Sequence, residues 1–118
     1  MAKSILKDKS YLFAIRIVKL SQYLQTEKKE FVLSKQILRS GTAVGALIRE
    51  AEFGQSKRDF INKMSISLKE ANETEYWILI LKDTDYIEQI LFESLYSDCK
   101  ELIAMFVSSI KTAKQNGK

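Results

Sequence analysis

Proline and histidine are both missing from this 118-residue chain, and it holds a single cysteine. Each absence excludes something. Proline breaks helices and punctuates loops, so a chain without it suits long helices joined by few turns. Without histidine there is no Ser-His-Asp or Cys-His constellation, no His-ligated haem and no Glu-x-x-His di-iron site. One cysteine, Cys99, allows neither an intrachain disulfide nor a CxxC site and fits a reducing compartment. No apolar run reaches the roughly 18–20 residues that span a bilayer. The opening MAKSILKDKSYLF has no uninterrupted signal core and no small-residue cleavage pattern. A soluble, cytoplasmic protein with no membrane partner is the expectation.

What is present is a balance of 46% hydrophobic and 29% charged residues, the composition of a globular chain. A length of 118 residues suits one domain, 1–118, with a single core. Charge is uneven along it. Residues 1–63 carry thirteen Lys and Arg against six Asp and Glu, while residues 64–118 carry six against nine.

Apolar spacing predicts four helices, at about 10–26, 34–53, 57–83 and 86–113. The first places Phe13, Ile17, Leu20 and Leu24 on one face, with Asp8 or Ser10 as its cap. The second carries Ile37, Gly41, Val44, Ile48 and Ala51. Gly41 and Gly45 lie one turn apart, and two glycines inside a helix point to a second backbone packed closely there. Gly54 is placed for a left-handed turn after this helix. Ser56 then caps the third helix, with Asp59 three residues on. Phe60, Met64, Ser67, Ala71, Thr74, Ile78 and Leu81 form its stripe. Thr84 or Asp85 is expected to cap the fourth helix, whose stripe includes Leu95, Cys99, Leu102, Phe106 and Ile110. Short connections favour an all-α, antiparallel up-down-up-down four-helix bundle.

Tyr76-Trp77-Ile78-Leu79-Ile80-Leu81 is apolar all round, more than one small core can cover. Tyr76, Trp77 and Ile80, with Gly41 and Gly45, are therefore the candidate oligomer interface. Glu75 borders the apolar stripe and needs a partner, because an unpaired buried charge is costly. Arg39 and Arg49 on the second helix are the candidates, with Glu75–Arg39 the expected structural ion pair. Arg16, Lys19, Lys35, Arg39, Arg49, Lys57 and Arg58 are candidate nucleic-acid contacts, with Lys57 and Arg58 at a helix N-terminus that favours anions. No catalytic residue, cofactor or metal site is expected. Glu50, Glu52, Glu70, Glu73 and Glu75 lack the histidines of a di-iron site, and Cys99 lies among apolar residues with no activating base beside it.

Residues 37–77 resemble the four-helix-bundle family named after the 23S rRNA intervening-sequence protein. The likeness rests on Arg39-Ser40, the small-residue turn Gly41 to Gly45, Glu50, Ser56 with Asp59-Phe60, and Glu73-x-Glu75 followed by Tyr76-Trp77. Ser10-Tyr11 with Phe13-Ala14 fits the start of the family's first helix. The match covers about residues 10–87, with the last helix matched by pattern only. Leu47 stands where the family usually has Asn. The resemblance implies an antiparallel four-helix bundle that assembles as a homo-oligomer, most often a pentameric ring. The family's function is poorly defined. Distant relatives serve diversity-generating retroelements and bind RNA and a reverse transcriptase. RNA or DNA and a protein partner are thus candidate partners, and a non-enzymatic scaffold is the leading expectation.

Overall fold

The computed structural model describes residues 2–116, with side chains from Ile5 onward. Met1, Gly117 and Lys118 of the expected 1–118 domain lie outside the described residues. Four helices make up the fold, α1 (Ala2–Glu27), α2 (Leu33–Glu52), α3 (Lys57–Asp83) and α4 (Gln89–Gln115), with no strand among the described residues. Each helix packs on its chain neighbours and α1 also touches α4, while among the described residues the diagonal pairs α1–α3 and α2–α4 show no close backbone approach. The start of α1 reaches the end of α2 through Lys7 and Glu52, while Ser21 late in α1 bonds Ser34 at the start of α2. These contacts are compatible with an up-down-up-down bundle. The rod measures 50 × 22 × 20 Å.

α1 begins at Ala2, about two turns before the expected start near residue 10. Leu6 and Ser10 extend the buried stripe toward the N-terminus, so the lysine-rich opening is helical rather than a lead-in. Neither Asp8 nor Ser10 caps the helix. Ser10 is buried inside it, and its hydroxyl donates to Lys7 O at 2.9 Å. α2 starts under an unexpected cap. One Glu30 carboxylate accepts from the backbone N–H groups of Val32, Leu33 and Ser34 at 3.2, 2.9 and 2.7 Å, satisfying donors that a helix start leaves open. Ser56 caps α3 as expected, accepting from Asp59 N at 3.0 Å.

Left-handed backbone falls elsewhere than at Gly54, which has no positive φ. Lys29 (φ 54°) and Asp85 (φ 66°) hold it instead. Each ends a helix with a long backward bond, spanning six residues after α1 and five after α3. Glu30 N–H reaches Leu24 O at 2.9 Å and Tyr86 N–H reaches Leu81 O at 2.8 Å, the long closing bond that a left-handed residue permits. Asp85 and Thr84 are thus spent on finishing α3, with Thr84 Oγ1 donating to Ile80 O. They do not cap α4, which starts at Gln89 behind Glu88 with no side-chain cap bond.

The core holds Phe13, Ile17 and Leu24 from α1, Ile37, Val44 and Ile48 from α2, Met64, Ala71 and Ile78 from α3, and Leu95, Leu102 and Phe106 from α4. A thread of small polar groups crosses it. Ser67 Oγ donates to Val44 O at 2.7 Å, the Thr74 and Ser40 hydroxyls meet at 2.8 Å, and Cys99 Sγ donates to Ala71 O at 3.3 Å. No buried side-chain polar atom among the described residues lacks a partner, so these groups avoid the cost of an unmade bond.

Candidate functional site

Arg39 sits on the outer edge of the α2–α3 contact. Its guanidinium donates to Glu70 Oε1 at 3.1 Å and also to Glu73 Oε2. Trp77 Nε1 donates to the same Glu73 oxygen at 3.0 Å. The hydrogen bond from Arg39, then that from Trp77, holds the Glu73 carboxyl below the usual carboxylate range, and the bond to Glu73 raises Arg39 above its ordinary value. The expected Arg39–Glu75 pair does not form. Glu75 follows Glu73 by two residues, which is about 200° around a helix. It therefore faces α4, where it accepts from Tyr96 Oη at 3.2 Å and lies 3.7 Å from Lys100 Nζ.

The apolar end of α3 is covered more fully by its own chain than expected. Ile78 and Leu81 are buried, and Trp77 and Leu79 are half-buried against the core. Ile80 is half-buried. Only Tyr76 stands well exposed, at 56%, with its ring edge-on to Trp77 at 5.1 Å. Gly41 and Gly45 do not face outward. A Cβ on Gly41 would lie 2.8 Å from Ile17 Cγ1 and Cγ2, and one on Gly45 would lie 3.3 Å from Ser10 Oγ. The close second backbone is α1 of the same chain.

The cations expected to contact nucleic acid are spread over α1, α2 and α3, with Arg16 and Lys19 lining one depression beside Tyr23 and Leu91. Arg16 is taken by Asp98 at 2.7 Å, Arg39 by Glu70 and Glu73, and Arg49 lies over the Tyr11 ring, 5.8 Å from its centroid. Lys19 and Lys35 are exposed on α1 and α2. Lys57 and Arg58 are brought together with Lys114 and Ile61 around one open depression at the start of α3. Lys114 is the member of that group absent from the sequence candidates, being far off in the chain. A second, apolar depression of about 270 Å³ is lined in part by Leu6, Ile48, Phe60, Met64 and Thr112, with Glu52 among its walls.

Cys99 is a buried free thiol. Burial, then the Glu75 carboxylate, pushes it up to about 12, the opposite of what a nucleophile needs. Among the described residues, no helix is long and apolar enough to cross a membrane.

Four packed helices with their polar groups paired inside and ion pairs outside define an all-α bundle protein. The family model of the 23S rRNA-intervening sequence protein matches residues 2–108, and the chain belongs to that family. A crystal structure from Bacteroides thetaiotaomicron VPI-5482, of a protein with unknown function from the S23 ribosomal protein family, is similar at 56% identity. The similarity covers 94% of this chain and 99% of that one, with a TM-score of 0.93. No functionally curated protein matches.

Proposed function

We propose that the chain is a non-enzymatic, cytoplasmic scaffold that works as a homo-oligomeric ring of up-down-up-down bundles, pentameric as in its family. The observation that supports this reading is the placement of large apolar side chains away from the core. Tyr11 and Leu12 on α1 and Tyr76 on α3 stand more than half exposed. Isolated exposed apolar residues are ordinary, but grouped ones mark contact surfaces. Sedimentation equilibrium at micromolar concentration tests it. The expected mass is about five times the 13.6 kDa chain, as closed cyclic symmetry allows. A monomer across that range overturns the proposal.

A second reading, binding to RNA or DNA, is favoured by the grouping of Lys57, Arg58 and Lys114 and by the net charge of +4. Such contacts are made to phosphate, so affinity should fall steeply with salt. Filter binding to structured RNA across a salt series is the measurement. Lys57→Glu with Arg58→Glu should weaken binding without changing the oligomer, and absence of binding at low salt removes this reading.

A further inference from the structure

Where the start of α1, the end of α2, the start of α3 and the end of α4 come together, the core does not close. The stripe of α4 runs through Leu95, Cys99, Leu102 and Phe106, all buried. Its next positions at helical spacing are Ser109, Ile110 and Ala113. Ser109 and Ala113 line the gap, and both are too small to fill it. α1 packs only lightly on α4, so the first helix does not fill it either. The result is the apolar depression of about 270 Å³, room for about nine water molecules at ~30 Å³ each. Its floor is Leu6, Ile48 and Met64, all buried.

Polar groups converge on this floor from two sides. α4 contributes the Ser108, Ser109 and Thr112 hydroxyls, and α2 contributes Glu52. Lys7 Nζ donates to Glu52 Oε1 at 3.2 Å, so the carboxylate charge is matched within the fold. Glu52 Oε2 accepts no hydrogen bond from the described residues. That oxygen suits a neutral donor, because a hydrogen bond to an ionised acceptor is roughly twice as strong as one between neutral groups. An ammonium ligand is opposed by Lys7 and by Lys57, Arg58 and Lys114, which group on the adjoining turns of α3 and α4 and make that end of the bundle positive. An anion is opposed by the Glu52 carboxylate in the wall and by the cost of leaving water for an apolar floor.

We propose that this depression is a binding site for a small neutral amphiphile, a compact apolar body of about ten non-hydrogen atoms that carries one O–H or N–H donor. The body lies on Leu6, Ile48 and Met64, the donor is given to Glu52 Oε2, and the α4 hydroxyls meet the polar end at the mouth. Small-molecule sites have this make-up, a mostly apolar lining with a few polar groups that fix orientation. The site is built within one chain and does not depend on the oligomer.

Titration of the full chain with para-ethylphenol tests the site, followed by calorimetry and by the methyl resonances of methyl-labelled methionine. The expected dissociation constant is on the order of 100 μM, with the Met64 methyl shifting and the Met105 methyl unmoved. The methyl ether of the same phenol has lost the donor and should bind about tenfold more weakly. Phenylethylammonium and phenylacetate should each bind at least about tenfold more weakly. Glu52→Met removes the acceptor and should erase the preference for the phenol over its ether. Ser109→Leu fills the gap from α4 and should abolish binding while the urea midpoint holds or rises, which separates a filled site from a broken fold. Absence of saturable binding at millimolar phenol, a preference for either ion, or full binding by a folded Ser109→Leu chain overturns the proposal. A preference that survives in Glu52→Met overturns Glu52 as the acceptor.

Discussion

Gly41→Ala is the sharpest perturbation of the α1–α2 contact. The new methyl would sit 2.8 Å from both Ile17 Cγ1 and Cγ2 and 3.1 Å from its Cβ. Those atoms form the root of a β-branched side chain that is fully buried, so no flexible end can swing aside. α1 and α2 must move apart. Overpacking of this kind costs about 1–3 kcal/mol, against about 1 kcal/mol gained from replacing glycine within a helix. The expected net loss is ~0–2 kcal/mol. Gly45→Ala provides the contrast. Its nearest neighbour would be Ser10 Oγ at 3.3 Å, a hydroxyl that needs to yield only a few tenths of an ångström, so the propensity gain dominates and stability should hold or rise. Urea unfolding followed by circular dichroism at fixed protein concentration measures both. A cycle with Ile17→Ala locates the cause, since removing both Cγ atoms makes room for the methyl. The double variant should be more stable than the sum of the single effects by about 1 kcal/mol or more. Gly41→Ala more stable than wild type, or strict additivity with Ile17→Ala, would refute the close-approach argument.

Glu30→Ala removes the acceptor for three backbone donors at the start of α2 and should cost about 1–2 kcal/mol; hydrogen exchange should show the loss concentrated at residues 32–36, and uniform loss would contradict the capping role. Glu73 has its folded value lowered, first by the Arg39 hydrogen bond. Its stabilisation is therefore complete above the free-glutamate value of about 4.3 and is lost as pH falls through the lowered folded value. The stability gap between wild type and Glu73→Gln should be constant from about pH 8 to 5 and narrow below about pH 4, with Trp77 fluorescence as the probe; a gap that widens in acid refutes it. The Cys99 thiol, pushed up to about 12 by burial, should alkylate at pH 8 about a thousandfold more slowly than a free cysteine of pKa near 8.5, and rapid native-state labelling would contradict its placement.

How much of this could be read from residues alone depends on how local the cause is. α3 was readable to the residue because Ser56 with Asp59 is a local cap and the stripe from Met64 to Leu81 has one register. The start of α2 was readable within a residue, but its cap was not. Glu30 lies in a charged connection and bonds forward to residues 32–34, which resembles a solvated loop until the backbone bends back at Lys29. Turn chemistry misled where glycine was expected to take the left-handed position. Lys29 and Asp85 take it instead, because the closing bonds to Leu24 O and Leu81 O stabilise a conformation that side chains disfavour only by about 1–2 kcal/mol. The Glu73–Glu75 pair shows a different limit. Alternating acidic residues look like one cluster in sequence, yet the helix turns them toward different neighbours.

The coverage of each helix by its neighbours exposes the remaining limit. Periodicity says which residues share a face, but not which face the core will take. The apolar end of α3 surplus to its stripe is mostly used internally, because α3 packs extensively on both α2 and α4 and its flanks are filled by Trp77 and Leu79. α1 packs closely on α2 and only lightly on α4, so its second apolar set has no such use. Phe13, Ile17 and Leu24 form the regular stripe that the core takes, and Ile5, Leu12 and Ile15, which that stripe drew attention away from, stay exposed. A helix with two apolar sides in a bundle with one core must present one of them outward. For this chain, the apolar surface a helix leaves outside the fold is set by how much its neighbouring helices cover and not by how oily its run is in sequence.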